Sequence, residues 1–294
     1  MHEEKKYSIF HLEGGLGKHV AATAVAKCIK NNHQDRELVI ICAYPEIFIN
    51  LPYVDRVYRI GNTPYFYNDF IKDCDSIMFK HEPYFTTEHI KKEMDLITNW
   101  CNLYNLKYTG EEPELIFNIR QKQLAHNKWK RDRPVLVLQT NGGPLQEQPY
   151  PYSWARDLPY DVASAIANAM KDKYHIIQIC RHEANILPNV EVVMNPMSNM
   201  ELFGLLLHSE KRILIDSCLQ HAAKALNLDA TVLWVATSPD VFGYDIHNNI
   251  VANLPDNPTL PDSYLFDYNF TGEIHECPII DEEVFNIPEV LDNI

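Results

Sequence analysis

Residues 211–234 read KRILIDSCLQHAAKALNLDATVLW, and no other stretch restricts the fold as tightly. An apolar strand at 212–215 meets a polar break at Asp216 and Ser217, then a helix, then a second apolar strand at 230–235. Ser217 followed by Gln220 fits a capping box. Leu219, Ala222, Ala223 and Leu226 give the 3.6-residue stripe of a helix lying on a sheet. A strand passing this abruptly into a helix puts amide N–H groups and the positive end of the helix dipole at the carboxyl edge of a parallel sheet. That end attracts phosphate, and open α/β sheets bind ligands along that edge. The same two polar residues would equally serve as a plain helix cap, so both readings stand at this point.

The alternation runs through the whole chain. A strand at 7–12 ends in Glu13, Gly14, Gly15, Leu16, Gly17, Lys18 and His19; a helix at 20–31, a strand at 38–42, a helix beginning at 45–51 and a strand at 54–60 follow. A strand at 76–80 leads to His81 and Glu82, then a helix at 87–104. The rhythm restarts after Pro134 with a strand at 135–138, the turn Thr140, Asn141, Gly142, Gly143, a Pro/Tyr/Gln loop at 144–158, a helix at 160–171 and a strand at 174–180. Arg181, His182 and Glu183 close that strand, and a helix at 201–209 comes next. Such repetition means βαβ units on parallel sheets. At 294 residues the chain exceeds one ordinary core, so two domains are expected, at 1–128 and 129–262, with an acidic tail at 263–294 packing back over the molecule.

Composition narrows the partners. The net charge is −14, with no Lys or Arg beyond Lys224, a balance that repels polyanions at long range. Screening over about 8 Å at physiological salt leaves room for a local basic surface. Residues 119–133 form the one basic run, read either as a solvated linker helix or as the place where nucleic acid would touch. No apolar run approaches the length of a membrane span and the start is charged, so a soluble, cytoplasmic protein is expected. Seven scattered cysteines without a CxxC pair read as reduced core residues, with neither a disulfide framework nor a zinc site. The aromatic group Tyr65, Phe66, Tyr67, Phe70, Phe79, Tyr84 and Phe85 is expected to be mostly core.

Three readings compete for the glycine loop. A Rossmann dinucleotide loop lacks its G-x-G-x-x-G pattern, and no acidic residue follows the second strand, which ends at Cys42 and Ala43. A P-loop-like ATPase would need Lys where Glu13 stands and a hydroxyl for Mg²⁺ where His19 stands. A Gly-rich turn facing a sugar substrate is the third. In the second half, Arg181 suits a phosphate and Glu183 suits ribose hydroxyls.

The motifs together resemble the heptosyltransferase-like glycosyltransferases of family 9. Residues 216–223, DSCLQHAA, match that family's D-[TS]-G-L-x-H-[LA]-A-A element, and 51–57, LPYVDRV, match its early strand; the resemblance covers roughly 7–60 and 134–245. It implies a GT-B fold, two Rossmann-like parallel-sheet domains facing a central cleft. It also implies an inverting, metal-independent transferase with no cofactor, moving a sugar from a nucleotide-diphospho-sugar to a hydroxyl acceptor. The sugar (hexosyl, heptosyl or pentosyl) and the oligomeric state are left open. The acceptor would be a glycan or lipopolysaccharide core, or a hydroxylated DNA base if the 119–133 run lines the cleft. Carried over, Asp216, Ser217, Cys218, Leu219 and His221 would hold the donor diphosphate. Thr140, Asn141 and Gly142 would assist, and Arg181, His182 and Glu183 would face the nucleoside. Gly14, Gly15, Gly17, His81 and Glu82 would line the acceptor side. Two departures stand out. Cys218 replaces a Gly, and Lys18 occupies the position of the family's Asp general base, although a protonated lysine is a poor base. The catalytic group is therefore expected among Glu13, Lys18 and His19, with His81 or Glu82 able to reach from the next strand edge and Glu13 favoured as base. The alternative is a non-catalytic protein that binds a nucleotide or nucleotide sugar.

Overall fold

The computed structural model describes residues 5–142, 155–180, 183–194, 197–253 and 284–294. The chain divides into two compact units, Met1–Asn118 and Ile119–Ile294.

In the first unit, β1 (Lys5–Leu12), β2 (Glu37–Cys42), β3 (Arg56–Arg59) and β4 (Cys74–Phe79) form a parallel sheet in the order β3-β2-β1-β4. The central strands are continuous apolar runs because both faces are covered. On one face lies α1 (Leu16–Asn32), whose Val20, Ala21, Ala24, Val25 and Cys28 are fully buried; small side chains let the helix approach the sheet closely. On another, Tyr7, Ile9, Val39, Ile41 and Phe70 form a cluster. The helix expected at 87–104 is two helices, α2 (Thr87–Ile90) and α3 (Leu96–Leu103). Lys92 takes φ 56° between them, and Asp95 starts α3 by accepting from the amides of Ile97 and Thr98. The helix expected from 45 is a single 3-10 turn, Pro45–Ile47. The aromatic group splits: Phe70 and Phe79 are buried and Phe66 packs against the cluster, but Tyr65, Tyr67 and Phe85 are exposed.

The second unit opens with α4 (Ile119–Trp129). A six-stranded parallel sheet follows, built from β5 (Val135–Gln139), β6 (His175–Ile179), β7 (Glu191–Val193), β8 (Ser209–Ile215), β9 (Thr231–Trp234) and β10 (Asn248–Val251) in the order β10-β9-β8-β5-β6-β7. Its helices are α5 (Tyr160–Met170), α6 (Asn199–His208), α7 (Cys218–Ala225), α8 (Pro239–Phe242) and α9 (Ile287–Asp292). The edge strands β7 and β10 were not anticipated: EVV and NNIV are too short and too polar to register as strands. The division at Asn118 precedes the expected boundary at 128 because α4 packs on α6. Trp129 is buried and donates Nε1–H to the Glu201 carbonyl at 2.9 Å, and Lys128 pairs with the Glu201 carboxylate at 2.9 Å. Ser198 and Glu201 form a full capping box on α6. The end of the tail returns to this unit: Val284, Phe285 and Val290 join its core, and the Asn253 amide donates to the Val284 carbonyl. Residues 254–283 of the acidic segment lie outside the described residues. Among the described residues no helix is long and apolar enough to cross a membrane.

Candidate functional site

Each sheet reverses its strand order once, and each reversal spreads two loops apart at the carboxyl edge. In the first sheet it falls between β1 and β4, in the second between β5 and β8. Crevices at such points are where open parallel sheets take ligands.

In the second unit, Ile215 ends β8 and Ser217, in extended conformation, is the N-cap of α7. The expected capping box does not form. The Ser217 hydroxyl caps no amide, and Gln220 instead sends its carboxamide N–H to the Phe242 carbonyl at 2.9 Å. The neighbouring strand end comes close: a Cβ added at Gly142 would sit 3.5 Å from Ser217 Oγ and 3.6 Å from Ile215 Cδ1. Asp157 fastens that turn by accepting from the Gly142 amide at 3.0 Å and from Asn141 Nδ2 at 2.9 Å. Asn185 Nδ2 donates to Asn141 Oδ1 at 3.2 Å, which ties the turn that begins at the exposed Glu183 to the end of β5. Gln178 Nε2 donates to Thr140 Oγ1 at 3.0 Å.

The expected donor set thus separates into layers. Thr140, Asn141, Asp216, Leu219 and His221 are buried, whereas Ser217 and Cys218 are half-buried. Asp216 Oδ2 lies 3.6 Å from Arg156 Nε, so its carboxylate faces a guanidinium from below the loop. His221 Nδ1 lies 2.8 Å from Tyr244 Oη; burial brings its pKa down to about 4, and the imidazole is neutral at pH 7. These groups therefore support the loop, and the half-buried Ser217 and Cys218 are the members of the set that remain partly open at the α7 start. Burial lifts the Cys218 thiol to about 11, which keeps it protonated and unreactive. Arg181 and His182 lie outside the described residues.

In the first unit the helix begins earlier than expected. Gly15 is the N-cap of α1, so Gly17, Lys18 and His19 are first-turn residues, and the loop shrinks to Glu13, Gly14 and Gly15. His19 is fully buried. Its Nδ1 sits 2.8 Å from the Gly15 carbonyl and its Nε2 accepts the Ala43 amide at 3.3 Å, an arrangement that requires the proton on Nδ1. Burial lowers its pKa, and with both nitrogens committed His19 holds the loop; it does not act as a base. Lys18 runs back over Gly14, which has φ 86° and where an added Cβ would meet Lys18 Nζ at 2.6 Å. Lys18 Nζ then bonds Glu82 Oε1 at 2.6 Å, 5.5 Å from the Tyr84 ring centre. Glu82 is held by a rigid loop: the His81 carbonyl accepts from Trp100 Nε1 at 3.1 Å and Tyr104 Oη at 2.5 Å, while Pro83 is buried. The His81 side chain is exposed. Glu13 is 60% exposed, with Oε1 3.7 Å from His11 Nδ1 and 3.8 Å from Lys80 Nζ.

Among the described residues no three His, Cys, Asp or Glu side chains converge to hold a metal. Six described cysteines are free thiols. The supporting residues Asp157, Gln178, Asn185 and Tyr244 carried no sequence signal, because polar side chains in loops become partners only through the fold.

No family model and no curated protein sequence matches the chain. Solved structures do. The E. coli ADP-heptose LPS heptosyltransferase II superposes with a TM-score of 0.64 at 13% identity, over 90% of this chain and 97% of that one. A glycosyl transferase family 9 protein from Veillonella parvula gives 0.62 at 10% identity, over 85% and 86%. The dodecameric, iron-containing heptosyltransferase TibC, in complex with ADP-D-β-D-heptose, gives 0.64 at 12% identity, over 98% and 74%. The fold is therefore the GT-B type of heptosyltransferase-like glycosyltransferases, with two Rossmann-like parallel-sheet domains.

Proposed function

We propose that the protein is a glycosyltransferase that moves a sugar from a nucleotide-diphospho-sugar to a hydroxyl acceptor, with inversion and without a metal ion. The observation that carries this reading is the approach of Gly142 to Ser217 where the second sheet reverses, beside the start of α7. Two backbone segments and a helix dipole meet there, the arrangement a diphosphate needs. Proteins of the same fold are known in complex with ADP-D-β-D-heptose or ADP, so an ADP-sugar is the first donor to try.

In the reaction the acceptor oxygen attacks the anomeric carbon from the face opposite the diphosphate. The bond from that carbon to the phosphate oxygen breaks, and its electron pair leaves with the nucleoside diphosphate. Amides at the α7 start stabilise the developing charge, each hydrogen bond to it contributing about 1.5–3 kcal/mol, while the Gly142 amide, held by Asp157, fixes the neighbouring turn. Arg156 lies one residue behind through Asp216 and orients that loop. The acceptor proton passes to Glu13, the exposed carboxylate at the end of β1. Lys18, occupied by Glu82, positions the acceptor side and is not the base. Glu183 faces the ribose hydroxyls, and the acceptor is a glycan-type hydroxyl.

The test is a thermal-shift panel of nucleoside diphosphates and nucleotide sugars, followed by assay of nucleoside diphosphate release with EDTA present. A ligand at a hundred times its Kd stabilises by about 2.7 kcal/mol, which raises the melting point of a unit this size by roughly 5–10 °C. EDTA leaves turnover unchanged. A panel in which no nucleotide shifts the transition defeats the reading; a shift without release under any condition leaves a binding protein instead.

A further inference from the structure

The basic run at 119–133 holds six of the chain's 26 Lys and Arg, and five of them fall into two sets. Lys128 pairs with Glu201, and Arg131 pairs with Glu191 at 2.5 Å; both cations fasten α4 and its exit to the second unit. Among the described residues, Lys122 and Lys130 make no side-chain bond or ion pair, and the Arg133 guanidinium donates to the Lys171 carbonyl at 2.8 Å. Stability explains the first set, whereas in the second only Arg133 has a structural contact, a single backbone carbonyl.

The second set is also ordered in space. Lys122, His126 and Lys130 stand four residues apart, on one side of α4, and the Lys130 amide still donates to the His126 carbonyl, so the helical turn carries the stripe forward. A cavity of about 260 Å³ lies at its end, lined by His126, Lys130, Arg131, Arg133 and, across from His126 with ring centres 5.1 Å apart, His208. Asp132 is the one carboxylate on its rim. The cavity adjoins Val135, the first residue of β5, and so sits at the amino edge of the sheet. Five strand residues, about 17 Å, separate it from the turn at Gly142. The Lys130 and Arg133 end therefore cannot be part of the diphosphate site.

We propose that this stripe is a second binding surface, which anchors the sugar-phosphate backbone of nucleic acid without reading bases. A membrane surface fits less well: Trp129 and Val135 in the lining are buried, Pro134 is its one exposed apolar residue, and the exposed Ile119 and Leu124 of α4 do not line the cavity. The acidic remainder of the chain limits the contact to this strip, since repulsion from distant carboxylates is screened beyond about 8 Å at physiological salt. Three contacts, from Lys122, Lys130 and Arg133, give a slope of log K against log salt of about −2.7.

The test is fluorescence anisotropy of a fluorescein-labelled 20-base-pair duplex with the full chain between 50 and 150 mM NaCl. Affinity falls roughly 20-fold over that range if three phosphates are neutralised. K130E/R133E, both exposed positions, loses at least tenfold at 50 mM and flattens the slope, with an unchanged melting point; K122E loses less in the same direction. No binding at 100 µM protein and 50 mM NaCl overturns the proposal. So does equal binding by K130E/R133E, or co-sedimentation with phosphatidylglycerol vesicles in preference to the duplex. The inference stands apart from glycosyl transfer, and failure of either leaves the other unaffected.

Discussion

Replacing Gly14 by alanine should weaken the first unit twice over, and the two parts can be separated. Gly14 has φ 86°, where a residue with a Cβ costs about 1–2 kcal/mol. The new Cβ would also meet Lys18 Nζ at 2.6 Å and Cε at 2.8 Å, so the lysine end must leave its place over the loop. Moving it breaks the 2.6 Å bond to Glu82, whose partners are 11% and 26% exposed in their side chains. A hydrogen bond to a charged group contributes about 1.5–3 kcal/mol, and the open side of Glu82 reduces this to about 1–2. G14A should therefore cost about 2–4 kcal/mol in the native background but only about 1–2 in K18A, where the clash and the pair are both gone. Hydrogen exchange of α1 amides reads the opening free energy of this unit without requiring the whole chain to unfold in one step. Equal costs in the two backgrounds would show that Lys18 does not lie over Gly14, and would refute the account of the first-unit site.

Other perturbations follow the same logic. G142A should barely change stability, because its Cβ finds ordinary contacts at 3.5 and 3.6 Å, whereas G142V should weaken ADP binding at least tenfold by calorimetry. His89 and His221 are both buried, with pKa values brought down to about 4. Unfolding restores an ordinary value near 6.5, so the unfolded chain takes up protons first as pH falls. Stability is full above about pH 6.5 and is lost toward pH 4, at up to about 1.4 kcal/mol per pH unit for each group; H89Q should remove one proton from that slope in urea titrations at several pH values. S198A removes the side-chain half of the α6 capping box and should cost about 1 kcal/mol in the same assay.

Much of this architecture was legible from periodicity. The runs at 38–42 and 135–138 could only be buried strands, and the helix after Ser217 lies where apolar spacing put it, while the first helix contains the expected 20–31 and starts a turn sooner, at Leu16. The failures have physical causes. The edge strands β7 and β10 are defined by pairing, which a polar triplet or quartet does not advertise. The helix at 87–104 breaks at Lys92 because Asp95 caps a new start, and the pattern alone ran through both. Ser217 and Gln220 looked like a capping box, yet Ser198 and Glu201 form the real one; the Gln220 amide found the Phe242 carbonyl, a partner set by tertiary structure. His19 reads as a catalytic residue beside glycines but faces inward, because the helix starts at Leu16 and turns it onto Tyr44 and Phe48. Lys18 was visible as a departure from the family pattern. Its partner Glu82, 64 residues away, was not.

The most direct test of the diphosphate site is hydrogen exchange by mass spectrometry with and without saturating ADP. The account predicts slowed exchange in peptides covering 139–142 and 216–220, with no change at 14–18. Protection confined to the first unit, or absent from both strand ends of the second sheet, would contradict it.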